Sequence, residues 1–225
     1  MSRIAVPISA NGKRKRANGE ASRERILDAA TEIAGERGYE GASIALVIAR
    51  SGLPASSIYW HFENKDKLIS AVIERSFNRW LDGMGAWVLP KKGVTRRDRF
   101  TMALRRTSKA LEDAPDFLRV GLMLALERRP KEASARKLFL QVREEAHRRT
   151  VSSYAEFFRD QLDQSGVRAL ATLTMAAADG LFIAHEIDRD DVNFEAAFEL
   201  LAVALLGAAE HLRSRSDRSG KGKRE

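Results

Sequence analysis

The side chains between Ser43 and Lys67 are of types that suit a polyanion, and they fall at the ends of short helix-sized segments. Ser43 precedes an apolar run; its hydroxyl and the free N–H groups of a helix start suit a phosphate oxygen, because the helix dipole favours an anion there. Ala55, Ser56 and Ser57 follow Pro54 at the opening of the next segment. A helix lying in the DNA major groove meets base edges with such N-terminal residues. Side chains this small read by serine hydroxyls, and by an alanine methyl against a thymine methyl. Specificity should therefore lean on Ser56, Ser57 and DNA shape more than on a bidentate Arg or Asn. Arg50 is placed to reach the DNA backbone, and Lys65 opens a further helix whose N-terminus adds attraction for phosphate. Between them stands Tyr59-Trp60-His61-Phe62. Phe62 reads as core, Tyr59 as a phenol facing phosphate, and Trp60 as half-buried with its indole N–H toward the DNA side. His61 has no partners at metal-ligand spacing, so no zinc site is expected.

Other chemistries find little support. The chain has no cysteine, which excludes disulfides, thiolate metal sites and cysteine nucleophiles. It has no HExxH, no GxSxG and no glycine-rich phosphate loop, and its four histidines are scattered. Neither an enzyme nor a cofactor is expected. Over 225 residues, 44% hydrophobic and 31% charged content fit a globular protein long enough to bury a core. The net charge of +8 favours a polyanionic partner, although part of it sits in Lys13-Arg14-Lys15-Arg16 and in the tail from Arg213 to Arg224. Both ends read as solvated and flexible, the first also as an arm that could follow the DNA backbone or enter the minor groove. No apolar segment follows the basic N-terminus, and no stretch approaches the ~20 apolar residues of a membrane span. A cytoplasmic protein with no membrane partner is expected.

Periodicity supplies the elements that position these residues. Ile26, Leu27, Ala30, Ile33 and Ala34 recur at helical spacing, predicting a first helix from Ser22, its N-cap, to Arg37, stopped by Gly38. A second helix, Ile44 to Arg50, is capped by Ser43 and ends at Ser51-Gly52. Pro54 suits the first turn of a third, Ala55 to His61, since its missing N–H would be an orphan there. Two short helices a three-residue turn apart have helix-turn-helix spacing. Asn64 caps a fourth, with Leu68, Val72, Ile73, Phe77, Trp80, Leu81 and Met84 inward, continuing to Trp87. Further helices are predicted over Arg99 to Leu111, Asp116 to Arg129, Ser134 to Asp163, Val167 to Ile187 and Asn193 to Leu212. The sixth is apolar nearly all round and reads as buried. Gly166 closes the seventh. No run alternates with period two, so the chain reads as all-α.

Taken together, Arg25-Ile26-Leu27-Asp28-Ala29-Ala30, Gly38-Tyr39, Ser43, Ser51-Gly52-Leu53, Ser57-Ile58-Tyr59-Trp60-His61-Phe62 and Lys65-Asp66-Lys67-Leu68 resemble the TetR family of transcriptional regulators over about residues 22 to 70. The resemblance implies a three-helix DNA-binding head on a helical ligand-binding and dimerisation body, usually a repressor released by a small molecule. It implies that Tyr59, His61 and Lys65 contact the DNA backbone. Two positions depart from the family pattern. Ile48 stands where a small residue is usual, and Pro54 replaces a Ser or Thr cap, leaving Ser56 to take over that phosphate contact.

The expected organisation is a flexible basic arm (1–20), a helix-turn-helix head (21–67), a ligand-binding and dimerisation body (68–212) and a basic disordered tail (213–225). Effector pockets are mostly apolar with a few orienting polar groups. Candidate lining residues are Trp80, Met84, Trp87, Phe117, Met123, His147, Tyr154, Phe158, Met175 and Phe182, for a fairly hydrophobic small molecule. The alanine-rich eighth helix and the ninth could complete the core and also form a homodimer interface. The expected partners are thus a palindromic double-stranded DNA operator, a small-molecule effector and a second copy of the chain. The competing reading is a helical ligand-binding or scaffold protein without sequence-specific DNA binding.

Overall fold

Capping and helical periodicity, more than any sheet-forming pattern, shape this chain. The computed structural model describes residues 10–85, 92–127 and 134–221, and these form helices α1 (Ala10–Gly41), α2 (Ile44–Ser51), α3 (Ala55–His61), α4 (Lys65–Met84), α5 (Arg96–Asp113), α6 (Asp116–Leu126), α7 (Ser134–Phe157), α8 (Gln164–Ile187) and α9 (Phe194–Lys221). The described residues contain no strand. Trp87 and the expected end of the sixth helix at Arg129 lie outside them.

Several boundaries differ from the periodic reading. The helix α1 starts at Ala10 and so runs through residues expected to be a flexible arm, where a polar sequence offers no apolar spacing to mark a helix. Ser22 is accordingly mid-helix, its hydroxyl donating to the Asn18 carbonyl at 2.9 Å, rather than an N-cap. Gly38, at φ 67°, breaks α1 as expected. The helix α5 begins earlier, at a capping box in which Thr95 and Asp98 satisfy each other's backbone N–H groups. The seventh helix ends at Phe157, not near Asp163. Asp163 is the N-cap of α8, accepting the Gly166 N–H at 2.8 Å, so Gly166 opens one helix instead of closing another. Asn193 caps α9 by accepting the Ala196 N–H at 2.9 Å, and α9 continues to Lys221 through residues expected to be a disordered tail.

Contacts group the chain into two units. The first comprises Met1–Arg75 and Asp116–Phe139, so α6 and the start of α7 associate with the head, and the expected boundary at residues 67–68 falls inside α4. Here α1 packs on α2, α3 and α6, burying Ile26, Leu27, Ala30, Ile33, Val47, Ile58, Leu68 and Val72. Burial of each large aliphatic side chain is worth roughly 1.5–3 kcal/mol. Arg75 binds α4 to α1, reaching Glu24 at 3.0 Å, Asp28 at 2.8 Å and the Thr31 hydroxyl at 3.0 Å. The sixth helix is less enclosed than expected: Leu118, Val120 and Leu124 are buried while Met123 and Leu126 are exposed.

The second unit, Ser76–Pro115 and Leu140–Glu225, packs α9 against α5 and α8. Phe100, Tyr154 and Phe158 form an aromatic cluster with ring centroids 5.6 and 5.7 Å apart along its edges. A polar seam joins α7 to α8: Arg143 donates to Asp179 at 2.7 and 2.5 Å, His147 meets the Thr172 hydroxyl at 3.1 Å, and Tyr154 meets Thr174 at 2.9 Å. Contrary to the expectation that no stretch approaches span length, α8 is long and apolar enough to cross a membrane by length and composition. Only 28% of its apolar window is buried in the chain. Leu173, Ile183 and Ile187 of α8, with Leu200 and Val203 of α9, are exposed.

Candidate DNA-binding site

The head holds two short helices on a firm support. The Ser43 hydroxyl caps α2 by accepting the Leu46 N–H at 3.3 Å, and it is exposed. The turn at the other end needs Gly52, whose φ of 65° closes α2 with its N–H on the Ile48 carbonyl at 3.0 Å. Ser51 is buried there; its hydroxyl accepts the Leu53 N–H at 3.3 Å, and its carbonyl accepts from Arg25 of α1 at 2.7 Å. The orientation of α3 relative to α2 is thus fixed by a glycine, a buried serine and a cross-helix arginine.

Pro54 occupies the N-cap position of α3 with no side-chain cap. The N–H of Ser57 reaches its carbonyl at 3.0 Å, so the missing cap leaves the Ala55 and Ser56 N–H groups at an open helix start. Pro54, Ala55 and Ser56 are exposed and Ser57 is partly so, while Ile58 is fully buried and anchors the helix. Tyr59 is 56% exposed. Trp60, expected to be half-buried, is 76% exposed; it stands edge-on to His61 at 4.5 Å, and a methyl at Gly19 of α1 would meet its ring at 3.7 Å. Phe62 is core at 5% exposure, with the Arg23 guanidinium 5.6 Å from its ring centre. Burial, joined by the positive charge of Arg23 and opposed by Glu20, holds His61 below the usual histidine range. The neutral imidazole is therefore its prevailing form at neutral pH.

Two expected cations are engaged within the head. Arg50 donates to Glu32 at 2.6 Å and to Glu36 at 3.4 Å, which raises its pKa and ties α2 to α1. Lys65 donates to the Tyr39 carbonyl at 3.2 Å, lies 4.4 Å from the Tyr39 ring centre and is 3.6 Å from Glu40. Asn64 caps the same helix start, its side chain accepting the Lys67 N–H at 2.9 Å. The Lys65 side chain remains 29% exposed. Spacing alone could not reveal these acidic partners, because Glu32, Glu36 and Glu40 lie on another helix. Together Ser43, Ala55, Ser56, Ser57, Tyr59 and Trp60 make an exposed, small-residue and aromatic face at the starts of α2 and α3 and along α3.

Residues 26–72 match the model of bacterial regulatory proteins of the tetR family. Over a much longer span, the chain is 32% identical to the transcriptional regulator LmrA of Bacillus subtilis across 165 residues, 71% of this chain and 83% of LmrA. The chain belongs to the TetR family. The transcriptional regulator SrpR of Pseudomonas putida is 33% identical over 57 residues, but the chain spans only 27% of SrpR. The solved structure of the regulator FadR from Bacillus subtilis in complex with stearoyl-CoA shares the fold, with a TM-score of 0.63 at 16% identity over 82% of this chain and 98% of that one. The helix-turn-helix of this TetR-family regulator is thus α2 and α3.

The residues expected to line an effector pocket fall in both units. Phe117 and Met123 belong to the first unit, with Phe117 buried and Met123 exposed beside Gly38. In the second unit Trp80 stacks on Phe77 at 5.5 Å, Met84 accepts the Thr107 hydroxyl at 3.4 Å, and Phe182 is buried. Met175 is partly buried, while His147 and Tyr154 are committed to the α7–α8 seam. Of the ten, Phe158 lines a cavity of about 390 Å³ in this unit. Among the described residues no group of three or more His, Cys, Asp or Glu could hold a metal ion.

Proposed function

We propose that this chain is a dimeric transcriptional repressor that reads a palindromic operator with α3 and releases it when a small, fairly hydrophobic effector occupies the second unit. The observation that carries this reading is the exposed face of Ser43, Ala55, Ser56, Ser57, Tyr59 and Trp60 on a buried, glycine-turned support. Ser43 and the open start of α3 offer N–H groups to phosphate, Ser56 and Ser57 meet base edges, and Tyr59 and Trp60 flank the backbone. Arg50 and Lys65 reach DNA by exchanging a glutamate for a phosphate.

The exposed apolar residues of α8 and α9 supply a two-fold interface, which also accounts for the span-like composition of α8 without a membrane. Two heads joined in this way would meet half-sites ~34 Å apart, or a multiple of it. Because α4 begins in the head and ends at Met84, an effector that prefers one shape of the second unit can change the fit of the heads to that spacing. The FadR structure in complex with stearoyl-CoA supports this reading, since that ligand carries a long apolar chain on the same fold. Such a protein works in the cytoplasm, where its operator lies.

Selection of bound fragments from the host genome, followed by release with candidate apolar ligands, tests the proposal. Recovery of a short inverted repeat supports it. Salt-dependent binding with no sequence preference would favour a scaffold or ligand-binding protein instead.

A further inference from the structure

The cavity of about 390 Å³ in the second unit is lined by Arg96 and Arg97 of α5, Phe158 beyond α7, and Leu206, Glu210 and Arg213 of α9. Three guanidinium groups therefore face one carboxylate beside an apolar wall. Arg97 and Arg213 make no ion pair with any described residue, although both are exposed and charged. Arg96 is different, because the fold holds it in place. It donates to the Phe157 carbonyl, and its guanidinium lies 4.9 Å from the Phe157 ring centre and 5.5 Å from that of Phe158. Its Nε is buried with no hydrogen-bond partner. A buried donor left unsatisfied costs on the order of 1–3 kcal/mol, a cost offset here by the stacking on Phe157 and Phe158 and the bond to the Phe157 carbonyl.

We propose that this cavity binds an amphipathic organic anion, with its carboxylate or similar head on Arg96, Arg97 and Arg213 and its apolar body against Phe158 and Leu206. A fixed guanidinium stacked on aromatic rings loses little freedom on binding an oxyanion, and its planar fork matches a carboxylate. The charge balance selects against neutral apolar molecules, which the wall alone would hold weakly. Glu210 in the lining, and Asp160 whose negative charge acts on Arg96, repel an anionic head and so limit its affinity. This inference goes beyond operator release and does not depend on it.

The test uses the full chain without DNA. Anilinonaphthalene sulfonate serves as a fluorescent amphipathic anion, with octanoate and octanol as charged and neutral competitors. Octanoate should displace the dye and octanol should not. Arg96→Met should weaken octanoate at least ~10-fold, the scale of one hydrogen bond to a charged group. Because that change could disturb packing, the exposed pair Arg97→Gln with Arg213→Gln should weaken octanoate about 5-fold, and Glu210→Gln should tighten it about 2-fold. Equal competition by octanol, or octanoate affinity unmoved by the exposed pair and by Glu210→Gln, overturns the proposal. Loss of dimer mass in the exposed pair with octanoate binding unchanged overturns it as well, in favour of a carboxylate from a second copy as the occupant.

Discussion

Asp66, in the first turn of α4, caps the start of α7 from outside that helix by accepting the Ser134 N–H at 2.7 Å and the Ala135 N–H at 3.0 Å. The same carboxylate accepts the hydroxyls of Ser134 and, at 3.2 Å, Tyr39. One side chain thus satisfies two orphan helix donors and steadies the tyrosine whose carbonyl holds Lys65.

Burial pushes the Asp66 carboxyl up, but the bonds from Ser134, Ala135 and Tyr39 together hold it below its ordinary value of 3.8. A carboxyl depressed in the folded state contributes stability that is present above its unfolded value and is lost as pH falls through the folded one. Asp66→Asn should therefore lower stability at pH 7 by about 1–3 kcal/mol. The gap from wild type should narrow in urea titrations run progressively below pH 4, and a gap that stayed constant there would refute the capping account. Lys65 should also become less well placed, so operator affinity should fall in the same variant.

A close helix contact gives a second prediction. A methyl placed on Gly121 of α6 would collide with the fully buried ring of Phe139 on α7, within the first unit. Gly121→Ala should cost about 1–3 kcal/mol by overpacking. Gly35 of α1 is the contrast, since its added methyl would meet only Arg119 at an ordinary 3.6 Å. There alanine should stabilise by roughly 0.5–1 kcal/mol through helix propensity. Thermal melts of the two variants should move in opposite directions.

The head was readable from sequence because its signals are local: Ser43 before an apolar run, Gly52 at a turn, Pro54 before a short helix. Partners that come from distant residues leave no such local signal. The ion pairs of Arg50 and Lys65 are not legible in spacing, because Glu32, Glu36 and Glu40 approach them only after α1 folds across. Spacing makes Gly166 a stop for α7, whereas Asp163 three residues earlier is the cap that starts α8. Thr95 and Asp98 had the spacing of a capping box, the signal that would have brought Arg96 and Arg97 into a helix beside Phe158. Arg213 reads as tail because polar composition does not distinguish a helix end from a coil.

On the DNA face, Tyr59→Phe removes one hydroxyl from an exposed ring and should leave the fold unchanged. If that hydroxyl binds phosphate, affinity for operator and for random DNA should drop together, by about 0.5–1.5 kcal/mol. Ser56→Ala should instead weaken operator more than random DNA, since it removes a base contact. Filter binding at two salt concentrations separates these cases; selective loss at one base position in Tyr59→Phe would refute the phosphate assignment.

The proposed dimer makes the last prediction. Leu200 of α9 is 72% exposed and Leu173 of α8 is 47% exposed, so a charge at either position costs the isolated chain little. Across a two-fold interface the same charge would be buried twice with no partner, a penalty of several kcal/mol per ion even after relaxation. Leu200→Glu should therefore run as a monomer in light scattering at concentrations where wild type is a dimer, with its helical circular dichroism retained. Each head can still bind a half-site, but the two no longer act at one spacing, so operator affinity should fall toward the random-DNA level. A Leu200→Glu protein that kept wild-type mass would exclude the α8–α9 face as the interface. A monomer that kept full operator affinity would instead leave the dimer real but remove it from recognition.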